Sequence, residues 1–261
     1  GVAPEANIIA VKVLDSGGSG YSSDIIAGID WCVANADTYN ISVISMSLGG
    51  GTRYATACDS QFPGYAQAID AAAQQNISVI VASGNDGDTT GISPPACVDK
   101  ATSVGMTYDF DGGGTCWGYV SGDCPGGTYT CYDSASDMVV DNIVCASNRA
   151  QNLDLLAPGA MITSLDYAGT VTDKGGTSMA APHVAGAAAL LKAKYRALGY
   201  DLSPDELEQK LQETGKPIYD EDTGLTFKRL NIDDKGVIPE KDAWYGVDPF
   251  YSISPNPRND S

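Results

Sequence analysis

Histidine is almost missing from this sequence: His183 is the single one in 261 residues. Basic residues are also few, 15 against 33 acidic ones, for a net charge of −18. That balance argues against nucleic acid or an anionic membrane as a partner and gives the chain a solvated acidic surface. No apolar run approaches the length needed to span a bilayer. None of the seven cysteines forms a C-x-x-C pair and His183 is remote from all of them, which excludes the usual zinc arrangements. Neither a starting methionine nor a signal peptide is visible; the chain opens at Gly1-Val2-Ala3-Pro4 as if cut from something longer.

What is present suits a folded α/β protein. With 43% hydrophobic residues, the chain can build one large core or two small ones. Residues 7–14 are β-branched and predict a strand, residues 15–20 a glycine-serine turn, and residues 22–35 a helix with Ile25, Ile26, Ile29 and Val33 on one face. A strand over 40–46 ends in Ser47-Leu48-Gly49-Gly50. A helix over 65–75 then leads to a strand over 76–82 that repeats the pentad Asn-Ile-Ser-Val-Ile and ends in Ser83-Gly84-Asn85. Helix, buried strand and glycine loop, twice over, predict a parallel sheet with helices on its faces. Both loops then lie on one rim, at the carboxyl ends of the strands, where such sheets bind ligands. Asn40 and Asn76 open Asn-x-Ser sequons, but each directly precedes a buried strand, so glycosylation is not expected.

A further strand is expected over 101–106. Residues 107–148 change character: glycines crowd together with four cysteines and the periodicity is lost, which predicts an irregular insertion held by disulfides rather than by a core. Strand signals return at 153–159 and 161–164. Ser203-Pro204-Asp205-Glu206 opens a helix with a capping serine, a proline at its first position and a glutamate at its third. Residues 236–261 read as a tail or linker.

The stretch that organises the rest is 175–191, where a diglycine and Thr177-Ser178 open a small-residue helix containing Pro182. Proline lacks an N–H and is best tolerated in the first turn, so the helix is expected to start near Thr177 or Ser178. Ser178 then sits at the positive end of a buried helix, a setting that stabilises an oxyanion. The eleven residues Gly176-Thr177-Ser178-Met179-Ala180-Ala181-Pro182-His183-Val184-Ala185-Gly186 resemble the nucleophile motif of the subtilisin-like serine proteases, the subtilases. The bland alternative, a serine serving only as an N-cap, does not account for so long a match.

The resemblance extends to other segments. Ala82-Ser83-Gly84-Asn85 is similar to the family's oxyanion-hole segment, which implies that Asn85 and the Ser178 N–H hold the developing charge. Gly18-Ser19-Gly20 and Ser47-Leu48-Gly49 match its peptide-binding edges, which implies an extended protein or peptide substrate added as a strand between them. Leu48, Ala82, Ser83 and Gly84 would border the primary specificity pocket, with room for a large apolar or aromatic P1 side chain. Pro94-Pro95-Ala96 resembles a family turn with a cis proline, best matched by Pro95.

One part of the machinery is missing. Acyl transfer by serine needs a base oriented by a carboxylate. His183 lies five residues after Ser178 on the same helix and faces elsewhere, and the matching family position is structural. Asp15 and Asp24 do not sit in the context of the family's catalytic aspartate. The match runs collinearly from Gly1 to Ile232, beginning where the family's histidine helix ends. The resemblance therefore implies residues 1–235 of the later part of a subtilase catalytic domain. The expected fold is a three-layer α/β architecture with a mostly parallel central sheet, incomplete at its N-terminal side. Without its base, this piece is expected to be poorly folded and inactive alone. The rival reading is a non-catalytic homologue serving as a binding or scaffolding module, though a scaffold needs neither Ser178 nor Asn85. An α/β esterase would want a Gly-x-Ser-x-Gly elbow, which is absent.

Cys58 and Cys97 flank the second helix-strand unit and are expected to pair; Cys32, in a helix pattern, is expected to be free and buried. Cys116, Cys124, Cys131 and Cys145 allow three connectivities. The cysteines and the resemblance together imply a secreted protein with an N-terminal propeptide in the full-length chain. The chemistry calls for no cofactor; a structural calcium ion is compatible with the family, and no ligands are assigned to it.

Overall fold

A computed structural model describes residues 1–118, 130–166 and 168–232; Cys124, Asp233, Asp234 and the expected tail over 236–261 lie outside the described residues. In chain order the first half contains α1 (Ser22–Ala34), α2 (Ala36–Tyr39), β1 (Val43–Met46), α3 (Pro63–Gln74), β2 (Ser78–Ala82) and β3 (Ala101–Thr107). Then come β4 (Gly114–Trp117), β5 (Cys131–Ser134), β6 (Leu155–Pro158), β7 (Ile162–Leu165) and β8 (Val171–Lys174). The chain continues through α4 (Thr177–Ala197), α5 (Pro204–Thr214), β9 (Lys216–Tyr219) and β10 (Thr226–Arg229). The main sheet runs β1-β2-β3-β6-β10-β9, parallel except for β9. This is the three-layer α/β architecture with a mostly parallel sheet.

Its layers follow from the two-residue period of β2, where every residue is buried. Ile80 and Ala82 pack into one core with Ala180, Ala181, Val184 and Ala188 of α4. Val79 and Val81 point the other way, into a second core with Ile25 and Ile29 of α1 and Ile69 of α3. The small residues of α4 let this helix lie close across β1, β2, β3 and β6, which fixes its N-terminus over the rim.

The repeated pentad has a common local cause. Asn40 and Asn76 both take left-handed backbone, φ 51° and 56°. The following isoleucine in each case sends its N–H back five residues, Ile41 to Ala36 O at 3.0 Å and Ile77 to Ala72 O at 2.9 Å. Each asparagine thus closes a helix with a Schellman-type turn and aims the chain into the next parallel strand.

Residues 7–14 do not form the expected strand; they make no ladder hydrogen bonds, and Ile8 is 91% exposed. Strand preference is expressed only against a neighbour, and among the described residues none lies beside this segment. Val11 and Val13 rest instead on α1, where a Cβ at Gly28 would lie 2.5 Å from Val13 Cγ1.

The described part of the 107–148 segment is also better built than its composition suggests. β4 and β5 pair antiparallel, and Trp117, Met138 and Val144 are buried in the core shared with α4. Trp117 Nε1 donates to Tyr108 Oη at 2.8 Å, and Tyr108 donates to Asp133 Oδ2 at 2.7 Å. Burial pushes the Tyr108 phenol above its ordinary pKa, with the Asp133 bond adding to it. A buried polar chain and apolar anchors thus act beside the disulfides, a signal hidden because these side chains come from distant positions.

Cys131 is joined to Cys145, Cys116 is also disulfide-bonded, and Cys32 is free and buried. Cys58 is joined to Cys97, tying the loop after β1 to the segment after β2. The Pro94–Pro95 peptide bond is cis. No helix among the described residues is long and apolar enough to cross a membrane.

Candidate active site

α4 begins at Thr177, as the motif predicts, but Pro182 falls past the first turn, inside the helix. Its missing N–H would have bonded the carbonyl of Ser178, four residues back. Ser47, just beyond β1, takes that place: its Oγ donates to Ser178 O at 2.7 Å. In return Ser178 Oγ donates to Ser47 O at 3.3 Å. Proline therefore survives here because another segment supplies the absent donor.

Gly176, at φ 149°, turns the chain into the helix, in a region of backbone that favours glycine. In the first turn the Met179 and Ala180 N–H groups close on Gly176 O, at 2.9 and 3.4 Å, which leaves those of Thr177 and Ser178 for partners outside the helix. Thr177 N donates to Asn85 Oδ1 at 2.8 Å, and Thr177 Oγ1 donates to the same oxygen at 3.0 Å. Thr177 Oγ1 also accepts from Gly84 N at 3.2 Å, and this threonine is fully buried. Two donors on Asn85 Oδ1 fix which end of the amide faces Thr177, so Nδ2 is turned to the other side. Among the described residues the Ser178 N–H makes no hydrogen bond. A hydroxyl, a free backbone N–H at a helix N-terminus and a carboxamide NH₂ thus meet in one place. That set can attack a carbonyl and receive its negative charge.

Ala82 and Ser83 are buried at the end of β2, and Gly84 follows at φ 112°. A Cβ at Gly84 would lie 2.3 Å from Asn148 Nδ2 and 2.7 Å from Ser93 Oγ, so only glycine fits. Ser47, Leu48 and Gly49 lie beside this loop: Gly50 N donates to Pro94 O at 3.3 Å, and a Cβ at Gly49 would meet the same oxygen at 3.2 Å. The carboxyl ends of β1 and β2 and the tip of α4 therefore converge.

Gly18, Ser19 and Gly20 stand apart from that cluster. They form an exposed loop folded on Asp15, whose Oδ1 accepts from Gly17 N at 2.8 Å and Ser19 N at 3.0 Å. Those N–H groups, Ser19 first, hold the Asp15 carboxyl below its ordinary pKa. Among the described residues no hydrogen bond joins this loop to Ser47, Leu48 or Gly49.

His183 is no partner of Ser178. Its Nδ1 lies 2.8 Å from Met179 O on its own helix and donates to that carbonyl. The sequence marks Thr177 as a motif residue and a helix start but not as the partner of Asn85, and it gives no hint of Asn148, which lies far from Asn85 in the chain.

These observations agree with the comparisons to known proteins. A subtilase family model matches residues 1–236. Subtilisin E of Bacillus subtilis (strain 168) is 36% identical over 222 residues, 84% of this chain and 47% of that protein. Alkaline serine exoprotease A of Vibrio alginolyticus is 35% identical over 208 residues, 80% of this chain and 30% of that protein. The chain likewise spans 66% of subtilisin DY of Bacillus licheniformis, at 33% identity. Among solved structures, a cold adapted subtilisin-like serine proteinase superposes with a TM-score of 0.64 at 30% identity, over 89% of this chain and 70% of that one. With its mostly parallel sheet, its small-residue helix opening at Thr177-Ser178 and this match along nearly its whole described length, the chain belongs to the subtilase family.

Proposed function

We propose that this chain is the nucleophile-bearing part of a secreted serine endopeptidase, in which Ser178 forms the acyl-enzyme. The observation that carries the reading is the double hold of Thr177 on Asn85 Oδ1, which leaves Asn85 Nδ2 and the Ser178 N–H free to bind an oxyanion. A protein or peptide substrate would lie extended, with Ser47, Leu48 and Gly49 as one edge and Gly18, Ser19 and Gly20 as the other. Ala82, Ser83 and Gly84 with Leu48 would border the P1 side chain.

The base and its orienting carboxylate would come from residues outside this sequence, because His183, its single histidine, is turned to Met179 O on its own helix, while Ser178 Oγ donates to Ser47 O. A serine hydroxyl so held stays protonated and weakly nucleophilic. The chain alone is therefore expected to be inactive, and an N-terminal propeptide belongs to the same reading of the longer protein. Acyl transfer to a serine by this route calls for no cofactor.

A fluorophosphonate probe tests this directly. Expressed together with the residues encoded upstream of Gly1, the protein should be labelled at Ser178, and Ser178→Ala should abolish labelling. The chain as given should stay unlabelled. Failure of the longer protein to react would favour a non-catalytic binding module.

A further inference from the structure

Asn148 is fully buried and belongs to no part of the chemistry above, yet it touches the loop that carries Asn85 from both sides. Its Oδ1 accepts from Asp86 N at 2.8 Å and Asp88 N at 3.1 Å. Its Nδ2 donates to Asp86 Oδ2 at 3.0 Å and to Ser93 Oγ at 3.3 Å. Its main chain joins in: N donates to Gly84 O at 3.0 Å, and O accepts from Ser83 Oγ at 2.8 Å. Five of these six bonds land on Ser83, Gly84, Asp86 or Asp88, the sixth on Ser93, and none on Asn85 itself.

The side chain uses its whole capacity here. A carboxamide has two acceptor sites on one atom and two donors on the other, and all four are engaged. An aspartate of the same shape could still accept from the two N–H groups but could donate to neither Asp86 nor Ser93. A leucine could do neither. The fit is tight as well, since Gly84 leaves no room for a Cβ against Asn148 Nδ2. Arg149, the next residue, adds its own N–H to Asp88 O at 2.8 Å, so consecutive residues pin the same loop.

We infer that Asn148 is the positioning residue of the oxyanion loop, holding Ser83 to Asp88 so that Asn85 meets Thr177 with its oxygen and the reacting carbonyl with its NH₂. This rests on the peptidase reading for its consequence, not for its geometry. Remove Asn148, and the Asp86 and Asp88 N–H groups lose their acceptor while Asn85 gains freedom to turn.

The test uses the protein with its upstream residues. Asn148→Ala should lower kcat on a peptide ester by about 10–100-fold with KM within about twofold, a loss confined to the transition state. Combining it with Asn85→Ala should cost no more than Asn85→Ala alone, because the positioned group is already gone. Losses that multiply would overturn the proposal. Asn148→Asp covers the case in which Asn148→Ala fails to fold: it should lose kcat too, and Asp86→Asn in the same chain should restore it by returning a donor to that bond.

Amide hydrogen exchange supplies a readout free of activity. In Asn148→Asp the Thr177 amide, which donates to Asn85, should exchange at least about tenfold faster while Val81 and Val104 in the sheet keep their rates. Unchanged exchange at Thr177, or loss at all three alike, would overturn the positioning role. If the parent protein proves inactive, the peptidase reading falls, and the Thr177 amide still decides the role of Asn148.

Discussion

Ser47 and Ser178 hold each other through two hydrogen bonds that run in opposite directions, Oγ of each to the carbonyl of the other. The pair exists because Pro182 has no N–H for the Ser178 carbonyl. A break in the helix is thereby turned into a joint between Ser178 and the end of β1. Ser47→Ala should cost about 1–2 kcal/mol in urea unfolding, since a helix carbonyl loses its partner. With Pro182→Ala in the same chain the helix supplies its own N–H, and the cost should fall below about 0.5 kcal/mol. Equal costs in both backgrounds would show that the bond to Ser178 O contributes nothing.

Asn85→Ala removes the carboxamide donor while leaving the Ser178 N–H in place. On the peptidase reading, kcat of the longer protein should drop by about 10²–10³, with KM little changed, because the charge it would meet exists only in the transition state. Steady-state kinetics on a peptide substrate measure this. A variant with raised KM and normal kcat would place Asn85 in ground-state binding instead.

How much of this was readable from the sequence depends on distance along the chain. Ser178, Thr177 and Asn85 lie in short motifs, and the twin Asn-Ile-Ser-Val-Ile pentads announced two strands from local pattern alone; that each asparagine also closes a helix shows only in the backbone. Residues 7–14 misled because β-branched composition describes a strand's own preference and says nothing about whether a neighbour exists. Asn148 and the Trp117–Tyr108–Asp133 chain were unreadable for another reason. Their partners are brought together only by the fold, and nothing in the local sequence distinguishes a bonded Asn or Asp from a solvated one.

Arg149 shows the same limit and gives a sharp contrast to measure. Its side chain is 3% exposed and pairs with Asp220, 6% exposed, at 2.7 Å, and with Asp222, 69% exposed, at 2.5 Å. Asp220→Ala would leave a buried guanidinium without its buried partner, at a cost of about 3–5 kcal/mol. Asp222→Ala removes a carboxylate that water already screens and should cost under about 1 kcal/mol. Urea unfolding of the two variants side by side would refute this ordering if the losses were equal.

Asp154 and Glu208 make stability depend on pH in a direction opposite to that of ordinary paired carboxylates. Thr102 Oγ1 donates to Glu208 Oε2 at 2.8 Å, and Ser103 N and Oγ both donate to Asp154 Oδ2 at 2.7 Å. Burial is the largest influence on each and pushes both carboxyls above their ordinary values, and the charge of Asp154 raises Glu208 further. A raised folded pKa means the folded chain holds protons that the unfolded chain has released. The contribution to stability is thus complete below the unfolded values, about 3.9 for Asp and 4.3 for Glu, and is lost as pH rises through the folded ones. Glu208→Gln keeps an acceptor and donors without the titration, so its Tm should fall less between pH 5 and pH 8 than that of the parent. At pH 8 the variant should melt about 2–4 °C higher, the shift expected for roughly 1 kcal/mol in a chain of this size. Thermal melts across that range decide the matter: parallel curves for variant and parent would mean that Glu208 stays ionised throughout and that its burial carries no such cost.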